Sequence, residues 1–212
     1  KEGGLIEESA KNQIDTFAKK FCLTRKMIIN DDLGAFLKVP VAMGNRAARL
    51  VDQLFFSRLL ANPTQGDGKA LFSAAHKNLL TGATSALSAD SLKKAIELYL
   101  DQVDADGQPI AVEPRYLAVP TALKHLAIEL TRGATLVMSG GTDNVVRPAL
   151  NVIADENLQV VSSPYLANSA YVGASSTGWY LFGQPGTVDT FEIGYLKGRR
   201  TPTVERDPAG IL

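Results

Sequence analysis

The feature that most constrains the fold is one long amphipathic helix, which the sequence predicts over residues 41–61. Pro40 suits the first turn of a helix, and the Asn62-Pro63 pair ends it because a residue before proline disfavours the helical region. A helix of this length reaches about 33 Å at 1.5 Å per residue. Its apolar side chains recur at intervals of three and four, as expected for one buried face: Met43, Ala47, Leu50, Val51, Leu54, Phe55 and Leu59.

A second constraint is an extended ribbon predicted over residues 14–29. This segment has the β-branched and aromatic content of a strand, and Phe17 and Phe21 share one face. An isolated strand is not stable in water, so we expect the partner to be missing or to belong to another copy. Charges on the ribbon either protect a strand edge or fix its register against a neighbouring subunit: Lys19, Lys20, Arg25 and Lys26.

The remaining pattern predicts an α+β fold. Residues 62–87 form an unusually long connection, which indicates an interaction surface rather than a linker. Ser88 caps the next helix, and DADG at 104–107 turns the chain. Further predicted elements are strand 114–120, helix 121–132 ending at Gly133, and strands 158–162, 179–182 and 188–196, the last two joined by a Gly-Gln-Pro-Gly turn; residues 140–155 are predicted to be mostly irregular.

Composition excludes several classes of function. Lys and Arg number 22 and so do Asp and Glu, so tight binding of nucleic acid through a global field has no support. Apolar runs are far shorter than the roughly 20 residues that span a bilayer, so we predict no membrane contact. The single cysteine, Cys22, permits no internal disulfide. Because the sequence opens on Lys1, we expect a fragment or a processed product.

Motifs for catalysis are weak. Only His76 and His125 are available as imidazole bases, and we interpret His125 as an exposed helix residue. DADG lacks the later acidic ligands of a calcium loop. QGDGK at 65–69 lacks the spacing of a phosphate loop, and GASSTG at 173–178 is not a nucleophile elbow. We therefore predict no catalytic residue, no metal site and no cofactor.

Six blocks of sequence together resemble the Mu-like phage major head subunit family. They occur in the expected order and cover most of the chain: MIINDDLGAF (27–36), LLANPTQGDGKALFSAAHKNL (59–79), ALSADSL (86–92), DADGQPIAVEPRYLAVPTAL (104–123), WYLFGQPGTVDTFEIGYLKG (179–198) and TPTVE (201–205).

The resemblance implies a capsid fold of the Hong Kong 97 type. Residues 1–30 are then the returning part of an extended loop, and residues 31–85 are the spine helix of a peripheral domain with its connection. Residues 86–196 are mostly the axial domain, and residues 197–212 return toward the peripheral domain. The family usually has a further N-terminal arm and a final peripheral segment, so we expect this chain to be truncated and to form a monomer or a small oligomer by itself.

The resemblance further implies a structural protein of a phage or prophage head. Its partners are copies of itself in hexamers and pentamers, other head proteins, a maturation protease and non-specifically packaged double-stranded DNA. It would reside in the virion capsid, after assembly in the host cytoplasm. Two alternatives stay open: a small α+β hydrolase using His76, and a protein nanocompartment shell. The candidate intersubunit contacts are Phe17, Phe21, Arg25, Lys26 and His76.

Overall fold

The chain contains two compact units, each with its own internal contacts. The computed structural model describes residues 15–22, 26, 29–30, 38–104, 107–139, 146–186 and 191–203. The first unit comprises Lys1–Leu54 and Phe191–Leu212, and the second comprises Phe55–Thr190. The architecture is α+β, as predicted from the sequence.

Helices account for most of the regular structure among the described residues. They are α1 (Lys38–Ala48), α2 (Leu50–Leu60), α3 (Ala89–Leu100) and α4 (Lys124–Arg132). Short 3-10 turns occur at Ala83–Ser85, Thr121–Leu123, Val152–Glu156, Pro164–Ala167 and Leu196–Gly198. No helix in this part of the chain is both long and apolar enough to cross a bilayer.

The strands form two small sheets. In the larger sheet, β1 (Pro114–Val119) lies between β4 (Gln159–Ser162), which is parallel to it, and β5 (Tyr180–Gly183), which is antiparallel. In the smaller sheet, β2 (Thr135–Ser139) pairs with β3 (Val146–Leu150) in an antiparallel hairpin. Because β1 and β4 are parallel, the chain crosses over between them, through α4 and the β2–β3 hairpin.

The hydrophobic core lies wholly in the second unit. It joins the inner faces of α3 and α4 to β1, where Leu92, Leu117 and Val119 are completely buried. Ser88 begins α3 as predicted, in a capping box with Ser91 that satisfies two backbone N–H groups. The rest of the core comprises Leu87, Ile96, Ala127, Leu130, Ile153 and Leu158.

The helix predicted over 41–61 is interrupted by a turn at Arg49, which separates α1 from α2. Packing explains why the two halves differ. Helix α1 buries no residue, whereas α2 buries Leu59 and Leu60 at its C-terminal end. Most helical stability in proteins comes from tertiary packing. Since α1 buries no side chain, its packing does not hold it in line with α2 as one continuous helix.

The ribbon predicted over 14–29 is not a strand in its described part. Residues 15–22 have no regular secondary structure. Lys26 and Ile29 are helical instead, and the Asn30 N–H donates to the Lys26 carbonyl at 3.2 Å. A strand needs a second backbone to satisfy its polar groups, whereas a helical turn satisfies them locally.

Two further predictions were wrong. Residues 140–155 were expected to be mostly irregular, but they contain β3. Proline is tolerated in edge strands, and both strands of a two-stranded sheet are edge strands, so Pro148 can pair opposite Val137. Of the strand predicted over residues 188–196, residues 188–190 lie outside the described part, residues 191–195 have no regular secondary structure, and Leu196 begins a 3-10 turn. The partner of β5 is β1, through a register that places Leu181 opposite the buried Leu117.

Candidate intersubunit surfaces

The predicted contact residues fall on two separate surfaces, one in each unit. Phe17 is 56% exposed and Phe21 is 39% exposed, both in the first unit. Lys26 is exposed as well, and Arg25 lies outside the described residues. His76 belongs to the second unit and is half-buried.

In the first unit, a groove of about 350 Å³ separates Phe21 from α1. Helical spacing explains its composition, because Lys38, Ala42 and Arg46 recur every four residues and therefore share one face of α1. Val39 and Met43 provide apolar lining, and no Asp or Glu is among the described residues that line it. We call this surface the basic groove; its residues are Lys19, Lys20, Phe21, Lys38, Val39, Ala42, Met43 and Arg46.

Sequence reasoning found only half of this groove. It singled out Phe21 and the Lys19-Lys20 pair, but it missed the contribution of α1. The signal was present in the spacing of Lys38 and Arg46, which places two cations on one helix face. What the sequence could not show is that residues 19–21 lie along that face.

In the second unit, residues 62–78 form an internally hydrogen-bonded loop. The Gln65 N–H donates to the Lys69 carbonyl at 2.7 Å, and the Gly68 N–H donates to the Gln65 carbonyl at 3.0 Å, which closes a tight turn. The side chain of Asn62 both accepts from the Phe72 N–H at 2.7 Å and donates to the Phe72 carbonyl at 3.0 Å. This part of the long connection is therefore ordered by its own hydrogen bonds, and its role as an interaction surface stays a prediction.

His76 holds the two arms of this loop together. Its Nε2 lies 2.8 Å from Oδ2 of Asp67, and its Nδ1 lies 3.1 Å from the Leu71 carbonyl oxygen. Both partners are acceptors, so the two contacts are hydrogen bonds at the same time only in the imidazolium form, in which both ring nitrogens donate. The hydrogen bond to Asp67, followed by the bond to Leu71, raises the pKa of His76 above its ordinary value.

The Asp67 carboxylate contacts both His76 and Lys69. Its Oδ1 accepts the backbone N–H of Lys69 at 3.0 Å, and the Lys69 ammonium lies 4.0 Å from Oδ2. The hydrogen bond from His76, then that from the Lys69 backbone, lowers the pKa of Asp67 below its usual range. Both shifts favour the ionised forms of the pair.

The loop is anchored at its other end by Asn78. Its Nδ2 donates to the Leu71 carbonyl at 2.8 Å, the same oxygen that faces His76, and its Oδ1 accepts from the Ser73 N–H at 3.0 Å. Phe72 packs against Tyr180 of β5 with ring centroids 5.4 Å apart. Sequence reasoning missed Asp67 and Asn78, since nothing in their spacing marks them as partners of one histidine.

This arrangement favours a structural role over catalysis at His76. A general base needs a free lone pair, and here both nitrogens face acceptors. Ser73, the nearby hydroxyl, accepts the backbone N–H of His76 at 3.3 Å rather than contacting the ring. Within the described ranges, no group of three or more His, Cys, Asp or Glu side chains is placed to hold a metal ion.

A mixed α+β chain with an ordered surface loop and a basic groove is compatible with a building block of an assembly. The model of the family described as "Phage capsid protein" matches residues 7–210. The chain therefore belongs to the phage capsid protein family. No match to a curated protein or to a solved structure was found.

Proposed function

We propose that this chain is the major capsid protein of a tailed phage or prophage. In this proposal it assembles as hexamers and pentamers into an icosahedral shell of the Hong Kong 97 type around double-stranded DNA. The observation that carries the proposal is the family match over residues 7–210. The six blocks that resemble the Mu-like head subunit support the finer assignment.

The proposed domain layout follows from the same resemblance. Residues 1–30 are the extended loop, residues 31–85 the spine-helix region, residues 86–196 mostly the axial domain, and residues 197–212 the return toward the peripheral domain. The helical stretch of α1 and α2 supports the spine-helix assignment. The sheet with α3 and α4 supports a separate axial fold.

The proposal assigns the chain a place and a set of partners. It resides in the virion capsid, reached by assembly in the host cytoplasm, and contacts other head proteins and a maturation protease. Its function is assembly, so neither surface needs a reacting group. The exposed side chains of Phe17, Phe21 and Lys26 and the ordered loop around His76 are the proposed contact surfaces, with Arg25 as a further candidate.

Electron microscopy tests the proposal directly. The complete gene product, expressed and purified at high concentration, is expected to form capsomer rings or closed shells in negative stain. Light scattering should show particles far larger than a dimer. A strictly monomeric product across concentration and salt, with or without co-expressed head proteins, would reject a shell subunit.

The hydrolase alternative makes the opposite prediction and is tested separately. Broad ester and phosphate substrates are incubated with the wild-type chain and with His76→Ala. We expect the same background rate for both, because the imidazole has no free lone pair in this loop. Turnover that is lost in His76→Ala would support the hydrolase.

A further inference from the structure

The chain is neutral overall, but two of its segments carry an excess of one sign of charge. Residues 16–51 carry seven cationic side chains and two carboxylates, with Asp15 and Asp52 at their edges, whereas residues 95–114 carry five carboxylates and no Lys or Arg, with Lys94 and Arg115 at their edges. The basic groove lies in the first of these segments and the turn after α3 lies in the second. Such a distribution favours contacts between different patches of two copies, since like patches repel.

The acidic segment forms a short exposed hairpin. The Ile110 N–H donates to the Gln102 carbonyl at 3.0 Å, and the Asp104 N–H donates to the Gln108 carbonyl at 2.8 Å. We call the described residues of this hairpin, 100–104 and 107–110, the acidic hairpin. Its exposed carboxylates are those of Asp101 and Asp104. Its apolar side chains, which are 41–45% exposed, are Leu100, Val103 and Ile110.

We infer that the basic groove of one copy receives the acidic hairpin of a second copy. This inference rests on the proposed function, because it names the contact by which one subunit recognises the next. In this contact, the apolar lining of the groove in one copy packs against the apolar side chains of the hairpin in the second copy. The groove contributes Phe21, Val39 and Met43, and the hairpin contributes Leu100, Val103 and Ile110. The cationic side chains around the groove face the carboxylates of the hairpin. An apolar centre with a charged rim is typical of specific protein interfaces.

The symmetry of this contact fits a ring or shell. The two patches differ, so the interface is heterologous, and each copy keeps one free patch of each kind for the next neighbour. Duplex nucleic acid is a poorer occupant of the groove, because its phosphates match the cations but nothing in its backbone covers Phe21 and Met43. A second copy matches both the charge and the apolar lining.

Zero-length cross-linking locates the contact. Equal amounts of ¹⁵N-labelled and unlabelled chain are mixed and treated with a carbodiimide, which joins amines to carboxylates in contact. We expect mixed-isotope cross-links from Lys19 or Lys38 to Asp101 at about 0.05 M salt and their loss at about 0.5 M, where screening is strong. Mixed-isotope cross-links that omit these residues overturn the inference.

Charge reversal provides the second test. Lys38→Glu with Arg46→Glu should weaken self-association by at least about tenfold, and so should Asp101→Lys alone, because each variant juxtaposes like charges. The two variants mixed should associate again, since each pairs with the other. Lys124→Glu on α4 and Asp155→Lys, exposed charges elsewhere, are the matched controls and should leave association unchanged.

The outcomes separate this inference from the proposed function. Rings or shells that form normally when either variant is used alone retain the capsid assignment and overturn the groove contact. A complete gene product that never associates overturns both. If Lys38→Glu with Arg46→Glu abolishes binding of a fluorescent DNA duplex but leaves association intact, the groove is a nucleic-acid surface and the inference is wrong.

Discussion

At the scale of single residues, His76 is the side chain whose surroundings decide most about the chain. Its two ring nitrogens face a carboxylate and a carbonyl, and these contacts favour the protonated imidazole. A catalytic imidazole and a structural one are indistinguishable in the sequence AAHKN. Only the partners distinguish them, and both partners come from residues that the sequence did not mark.

Asp67→Asn is expected to lower the pKa of His76 toward its ordinary value of 6.5, because the largest cause of the upward shift is the hydrogen bond to that carboxylate. The measurement is an NMR titration of the His76 ring. Asp155→Asn removes an exposed carboxylate from another segment and should leave the His76 titration unchanged. An unaltered pKa in Asp67→Asn would mean that the pair does not form.

The same pair predicts how stability depends on pH. The pKa of His76 is raised, so its contribution is complete below pH 6.5 and is lost as pH rises through the folded-state pKa. The pKa of Asp67 is lowered, so its contribution is present above pH 3.8 and is lost as pH falls through its folded-state pKa. Urea midpoints of wild type and His76→Ala should therefore differ most between pH 3.8 and pH 6.5, and should converge only above the folded-state pKa of His76 and below that of Asp67.

Adding one methyl group at Gly173, in Gly173→Ala, is expected to lower the free energy of unfolding strongly. Its φ is +84°, and a Cβ there would overlap the backbone carbonyl of Leu60 at the end of α2. Gly186 has nearly the same φ, +86°, but open space around it, so it is the matched control. We expect Gly186→Ala to cost about 1 kcal/mol in free energy of unfolding, and Gly173→Ala to cost clearly more. Equal losses in urea titrations would contradict the close approach.

At the scale of elements, Asn151, which directly follows β3, connects the β2–β3 hairpin to the C-terminal end of α4 through side-chain hydrogen bonds. Its buried side chain donates to the Leu130 carbonyl at 2.7 Å and to the Gly133 carbonyl at 2.8 Å, and it accepts from the Ile153 N–H at 3.1 Å. Asn151→Ala leaves these groups without partners and should cost about 2–3 kcal/mol of stability. Asn168→Ala, which removes one exposed hydrogen bond, should cost well under half as much in the same urea titration.

The elements also show what a single sequence can predict. Helix α3, helix α4, β1 and β4 were predicted close to their actual positions, because each has a clear apolar pattern and a local stop or start signal. The failures are elements whose pairing is long-range or lacks a local signal. Strand β5 was predicted, but its partner was not, since pairing with β1 depends on residues more than 60 positions away.

The candidate surfaces divide in the same way. Exposure of Phe17 and Phe21 could be predicted, because apolar residues on a charged ribbon have no core to enter. The contribution of Lys38 and Arg46 to the groove could not, because it requires residues 19–21 to lie beside α1. Contacts within one helix are set by local spacing, whereas contacts between segments depend on the fold.

At the scale of the whole molecule, the chain concentrates its core in one unit and its exposed basic surface in the other. Every residue of the hydrophobic core cluster lies between Leu87 and Leu158, inside the second unit. Helix α2 joins that unit through Leu59, Leu60 and the stacking of Phe56 on Tyr165, whose ring centroids are 5.3 Å apart. None of the described residues of the first unit belongs to that cluster.

This division predicts that residues 50–190 fold without the rest of the chain. The fragment retains all of α2 and the complete core, so its urea midpoint should match that of the full chain. The single tryptophan, Trp179, packs against the core and donates to the Ser85 carbonyl at 2.9 Å, so its fluorescence follows this unit in both proteins. Leu92→Ala should lower the free energy of unfolding by about 2–5 kcal/mol in both proteins, because Leu92 is fully buried. The urea midpoint should therefore fall by the same amount in both. A fragment that is unfolded, or far less stable than the full chain, would show that the core depends on residues outside 50–190.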